Sequence, residues 1–138
     1  MPLSQALQNA WTNYLVGQTP TAPAAPTMPI TAILASTAGT ATAAGTAVAA
    51  VTANPTIAAA GWNASATTVA ASNVNAVSWT SNAAIATIVG VSLQDSAATP
   101  VYRGYGAFSG ANAAKSMNSG DTLTIAGGAP GSLTVQNT

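Results

Sequence analysis

Histidine, cysteine and glutamate are absent from this 138-residue chain, and only 3% of it is charged, with Arg103 and Lys115 balanced by Asp95 and Asp121. Each absence removes a class of chemistry. Without Cys there is no disulfide framework and no thiolate nucleophile, and without Cys or His there is no zinc-finger ligand set. Without His the general base of a Ser-His-Asp arrangement is missing, and no G-x-S-x-G occurs. Two cations neutralise about two phosphates, against roughly six to ten contacts in ordinary duplex binders, so nucleic acid is not an expected partner.

The four charged residues build no catalytic group either. Neither Asp lies in an Asp-Thr-Gly context or a metal-ligand cluster. Gln94-Asp95-Ser96 and Ser119-Gly120-Asp121 both read as turns that the carboxylate caps through its own side chain. Lys115 beside Ser116 suggests a Ser-Lys pair, but adjacent residues on a strand point to opposite faces. The glycines of GYGAFSG (Gly104 to Gly110) and AGGAPG match neither phosphate-binding spacing and read as turn or bulge glycines. The expectation is a protein that is not an enzyme, with no catalytic residue, no metal and no cofactor.

No membrane segment is expected. Ala41 to Ala60 is long and Ala-rich, but Gly45, Asn54, Pro55 and four Thr interrupt it, and Ala contributes little to insertion. The first residues lack the basic region of a signal peptide, and Pro2 is followed by an amphipathic run, so they read as mature sequence.

What fills the chain is small and neutral. About a quarter of it is Ala, while Leu, Ile, Val and Phe together make up about 17%. Burying a large apolar side chain contributes roughly 1.5–3 kcal/mol, set against roughly 1–2 kcal/mol of backbone entropy per ordered residue. Such a composition predicts a thin core, completed in part by neighbouring subunits. A Thr/Ser/Asn/Ala surface of zero net charge offers little colloidal repulsion and also favours association. The chain therefore reads as an assembly component and a homo-oligomer.

Three segments follow from the pattern. Residues 1–17 form a helical arm in which Leu3, Leu7, Trp11, Tyr14 and Leu15 recur at helical spacing, with Ser4 near the N-cap and Gly17 placed to end the helix. This stripe either packs on the protein's own sheet or docks on another subunit, with Trp11 and Tyr14 as anchors in both cases. Residues 18–29, QTPTAPAAPTMP, carry four Pro in twelve residues and read as a semi-rigid extended connector. A groove-binding peptide motif is the alternative, without the flanking basic residues that would support it.

Residues 30–138 read as a β-sandwich domain. Short apolar runs appear at Pro29 to Ala35, Ala66 to Ala71 and Val74 to Thr80, where Val77 and Trp79 share a face. Another runs from Ala84 to Leu93, with Ile85, Val89, Val91 and Leu93 of one parity and a bulge at Gly90. Val101 to Phe108 follows, and TLTI (Thr122 to Ile125) with SLTV (Ser132 to Val135) flanks AGGAPG as a hairpin. Many short β-branched strands argue for an antiparallel, jelly-roll-like β-sandwich, mainly β apart from the arm. Thr40 to Ala71 is of low complexity, so its register is weakly specified and a helical piece is the alternative. Tyr102, Tyr105 and Phe108 near Arg103 read first as core or interface packing, with a possible exposed sugar-stacking surface as the alternative. Asn63-Ala64-Ser65 matches the glycosylation sequon, which without a secretory signal carries no weight.

The order of these features resembles that of small tailed-bacteriophage virion proteins, described as capsid decoration, head fibre or tail fibre proteins. LSQALQNAWTNYLVG resembles the short N-terminal helix of that family, and PITAILAST stands where its first strand lies. From Asn75 to Val135 the layout is similar throughout: a strand before an Asp-containing turn, an aromatic Y-G-A strand, a Lys ahead of the S-G-D turn and a closing hairpin. The Ala/Thr-rich stretch from Thr40 to Ala71 departs from the pattern.

The resemblance implies a virion structural protein. The leading expectation is a capsid decoration or cement protein on the head exterior, held by the stripe Leu3, Leu7, Trp11, Tyr14 and Leu15 to the major capsid protein or other virion subunits. Analogy with threefold positions in related particles implies a trimer. The runner-up is a tail-associated fibre or tip protein that binds a glycan through Tyr102, Tyr105 and Phe108. A third class is a free carbohydrate-binding module.

Overall fold

The computed structural model describes residues 3–18, 24–64, 70–108, 113–128 and 134–136. The protein is mainly β, with antiparallel sheets and one short N-terminal helix. The helix α1 (Gln5–Leu15) is built from QALQNAWTNYL, in which no β-branched residue appears before Thr12. It ends as the sequence predicts. Gly17 adopts φ +73°, and Gln18 N–H donates to Asn13 O while Gly17 N–H donates to Tyr14 O, which together form a Schellman cap.

The largest sheet has the order β2-β1-β7-β8, from Thr56–Ile57, Ile30–Ala35, Gly90–Gln94 and Tyr102–Ala107. A second sheet pairs β5 (Val77–Thr80) with β10 (Thr122–Ile125), and a third pairs β6 (Ile85–Ile88) with β9 (Lys115–Met117). The fourth has the order β11-β4-β3, from Thr134–Gln136, Ala70–Asn73 and Trp62–Ala64. All pairings are antiparallel. The core is one apolar cluster drawn from β1, β2, β5, β6, β7 and β9 with Val48 and Val51, in which Trp79, Leu34, Ile88 and Val91 are fully buried. On β5, Val77 and Trp79 point inward and Ser78 and Thr80 outward, as their alternation predicts.

Two expectations about pairing are corrected. TLTI and SLTV do not form a hairpin: β10 pairs with β5, with Leu123 opposite Trp79, and β11 pairs with β4, with Val135 opposite Ala71. A six-residue Gly-rich loop does not dictate register as a two-residue turn would, so the two strands are free to pair elsewhere. The loop tip at 129–131, with Ser132 and Leu133, lies outside the described residues. The run from Ala84 to Leu93 is likewise two strands in two sheets, divided at Val89. Gly90 is the point of passage: a Cβ there would run into the Gly106 carbonyl and the Tyr105 hydroxyl.

The Ala/Thr-rich stretch is a strap between sheets. Between the Ile30↔Ile57 and Ala35↔Ala47 pairs, β1 advances five residues while its partner advances ten. The surplus loops out to β5, where Thr52 N–H donates to Thr80 O and Asn82 N–H donates to Ala50 O. Val48, Val51 and Ile57 of this stretch are buried. Among the described residues its helical content is one 3-10 turn, Ala59–Gly61. The expected strand around Val69 and the sequon's Ser65 fall largely on residues 65–69, outside the described residues.

Candidate docking surface

The arm is anchored by its first residues. Leu3 forms an antiparallel bridge with Gly104 on the outer edge of β8, and Ser4 N–H donates to Arg103 O at 2.8 Å. Gln5 N–H donates to Ala41 O at 2.7 Å. Unpaired amides at a helix start are ordinarily met by a capping side chain. Ser4, at the N-cap, makes no such side-chain bond, and carbonyls of the body take that role. The start of the helix is therefore tied to the body by backbone hydrogen bonds.

The predicted stripe divides along its length. Leu3 and Leu7 are half-buried and, with Met28, Ile30, Trp62 and Arg103, border an apolar hollow of about 210 Å³. From Trp11 onward every residue through Gln18 is exposed. Trp11 is 39% exposed, Tyr14 37% and Leu15 76%, and Val16, which the stripe omitted, is 64% exposed. Trp11 and Tyr14 pack edge to face, with centroids 6.0 Å apart at 80°, a geometry that rings favour. The far half of the helix thus presents a pre-assembled aromatic and aliphatic tip, the kind of surface that marks protein–protein contacts.

The other aromatic set does not form an exposed surface. Tyr105 is buried, its hydroxyl donates to Val89 O at 3.3 Å, and its ring lies under the loop at Gly39, where a Cβ would come within 3 Å of it. Burial pushes its phenol upward from the usual tyrosine range. Tyr102 is half-buried and donates its hydroxyl to Thr40 O at 2.8 Å, while Phe108 packs against the core. The alternative of an exposed sugar-stacking surface is corrected accordingly: Tyr102 and Tyr105 hold the loop after β1 onto β8.

Composition alone did not reveal the buried ion pair beside the arm. Opposite Gln94, β8 carries an extra residue, so that Leu93 faces Gly104 and Gln94 faces Tyr102. The bulge residue is Arg103, and a bulge re-aims the side chain it carries. Its Nε and Nη2 donate to Asp95 Oδ2 at 3.2 and 2.5 Å, and the carboxylate is 1% exposed. Asp95 Oδ1 accepts the N–H groups of Val101 at 2.8 Å and Ala97 at 3.4 Å, the turn role expected of it. The Val101 bond, with Arg103 in support and burial opposing, holds the carboxyl below the usual aspartate range. Asp121 caps its turn by accepting from Asn118 N–H at 2.7 Å. A single Arg on a strand eight residues after a turn Asp was the available signal.

Among the described residues no group of three or more metal-ligating side chains occurs, and no helix is long and apolar enough to cross a membrane. Set against family models, curated proteins and solved structures, the chain has no match.

Proposed function

We propose that the protein is a structural component of a tailed-bacteriophage virion, a decoration or cement protein seated on the outside of the head. The observation that carries this reading is the tip of α1, where Trp11, Tyr14, Leu15 and Val16 stand exposed on a helix whose base is fixed to the body by backbone bonds. A surface of zero net charge and 3% charged residues supports attachment by apolar and backbone contacts. We read the body as a β-sandwich of jelly-roll kind, the four-stranded sheet facing the β5–β10 and β6–β9 pairs across a common core. The partner is the major capsid protein or another virion subunit, presenting an uncharged apolar groove into which the tip lies. Self-association, with a trimer favoured by analogy, completes the thin core.

Glycan binding through Tyr102, Tyr105 and Phe108 is not carried forward, since Tyr105 is buried. Imaging of the intact particle tests the proposal. Density for this chain repeated over the head lattice supports it, density confined to a few copies at the tail replaces it with a tail component, and a free protein with no particle attachment overturns it.

A further inference from the structure

We infer that the Asp95–Arg103 pair is a clamp that holds both feet of the N-terminal arm and so sets the direction in which its tip projects. The arm leaves the body and returns to it on one hairpin. Its outgoing foot is Ser4, whose N–H donates to Arg103 O at 2.8 Å. Its returning foot is Thr27, whose carbonyl accepts the N–H of Ser96 at 3.0 Å and the Ser96 hydroxyl at 3.1 Å. Arg103 sits at the start of β8, and Ser96 follows Asp95 in the turn after β7. The ion pair therefore spans the two strands between the feet.

Each partner organises one foot. Asp95 Oδ1 gathers the N–H groups of Ala97 and Val101 and so shapes the turn that presents Ser96. Arg103 is the bulge residue, and its guanidinium, 16% exposed and held on Asp95 Oδ2, fixes the bulge that turns its own carbonyl toward Ser4. The same side chain borders the apolar hollow that Leu3 and Leu7 overhang. A buried charge pair of this kind is retained more credibly for a geometric task than for net stability, because desolvation offsets much of its attraction. Asp95 is thus a positioning residue: its carboxylate bonds Ala97, Val101 and Arg103, and it acts on the arm through Arg103 and Ser96. What the aimed tip then binds rests on the proposed function; the clamp itself does not.

Hydrogen exchange on the full-length protein tests the clamp. Asp95→Asn keeps an oxygen for the Ala97 and Val101 amides but removes the charge that holds Arg103. Protection at the Ser4, Gln5 and Ser96 amides should fall by about tenfold, while Ala32 and Val48, bonded within the body to Pro55 O and Leu34 O, keep theirs. Should Asp95→Asn not fold, Arg103→Lys, which keeps the charge and loses the guanidinium fork, provides the same comparison. Unchanged protection at Ser4, Gln5 and Ser96, or a loss shared equally by Ala32 and Val48, overturns the clamp. Attachment of the same variant to virions separates the two readings: loosened feet with full attachment uphold the clamp and count against docking through the tip.

Discussion

Trp79 donates its indole N–H to the carbonyl of Ala32 at 3.0 Å, and so supplies the hydrogen bond that Pro55 has no N–H to return. The register of β1 and β2, Ile30 on Ile57 and Thr31 on Thr56, places Pro55 across from Ala32, and Ala32 N–H donates to Pro55 O at 3.0 Å. In an antiparallel pair the second bond would run back from residue 55, but Pro lacks the donor. An unpaired carbonyl in the core would be costly. The indole, reaching over from β5, both fills the core and completes the ladder, and it ties the two sheets together where the strap crosses between them.

A double-mutant cycle reads this directly. Trp79→Phe leaves Ala32 O unpaired and should lower the unfolding free energy by about 1–3 kcal/mol for the orphaned acceptor, with a further loss for the cavity. Pro55→Ala restores a ladder donor, so Trp79→Phe should cost less in that background, by roughly 1 kcal/mol. Strict additivity in denaturant melts would mean that the indole contributes packing alone.

Gly90→Ala tests the passage between sheets. The added methyl meets the Gly106 carbonyl and the Tyr105 hydroxyl, one of them backbone, so the edge strand has to shift. A loss of about 1–3 kcal/mol is expected, in the range of overpacked cores, together with exposure of the Tyr105 ring to solvent perturbation. A stability unchanged within about 0.5 kcal/mol would show that β7 and β8 are not held at this spacing.

Periodicity exposed the elements better than their partners. The arm, its Gly17 stop, β1, the Val77/Trp79 face and the Tyr102–Ala107 strand are local patterns, and local patterns are what a sequence displays. Pairing is set by which faces meet. The shared parity of Ile85, Val89, Val91 and Leu93 continues across a change of sheet with only Thr87 interrupting it, so it could not show that β6 leaves for β9 or that Ile88, of the other parity, is the residue fully buried there. In the strap, Ala and Thr repeat so evenly that only Val48, Val51 and Ile57 mark its inward points. The stripe on the arm was visible, but its division into a seated base and a free tip depends on the backbone bonds to Arg103 and Ala41, which leave no trace in side-chain spacing.

Acid should unfold the protein in a single late step. The folded Asp95 carboxyl lies below its ordinary value of 3.8, so its contribution to stability is fully present above that value and is lost as pH falls through the lower, folded one. With no His, Cys or Glu in the chain, the melting temperature should be nearly flat from about pH 8 to 5, then fall below about pH 4. In Asp95→Asn that acid limb should shrink. A melting curve that already declines near pH 6 would contradict the assignment.

The tip and the base of the arm should separate in their effects. Trp11→Ser combined with Leu15→Ser alters side chains on the exposed half of the helix, so the unfolding free energy should change by no more than about 1 kcal/mol for the two together, apart from the edge-to-face contact with Tyr14. Attachment to virions should nonetheless weaken by at least tenfold, since a buried Trp anchor commonly contributes about 2 kcal/mol or more to an interface. Leu7→Ser, at the hollow beside Trp62, should instead loosen the seat of the arm and lower stability by about 1–3 kcal/mol through lost burial. Because the contact is apolar, washing virions at roughly 1 M salt, where screening reaches only about 3 Å, should remove no more of the wild-type protein than washing at low salt. Release by salt, or full attachment of the Trp11/Leu15 variant, would place the contact elsewhere on the molecule.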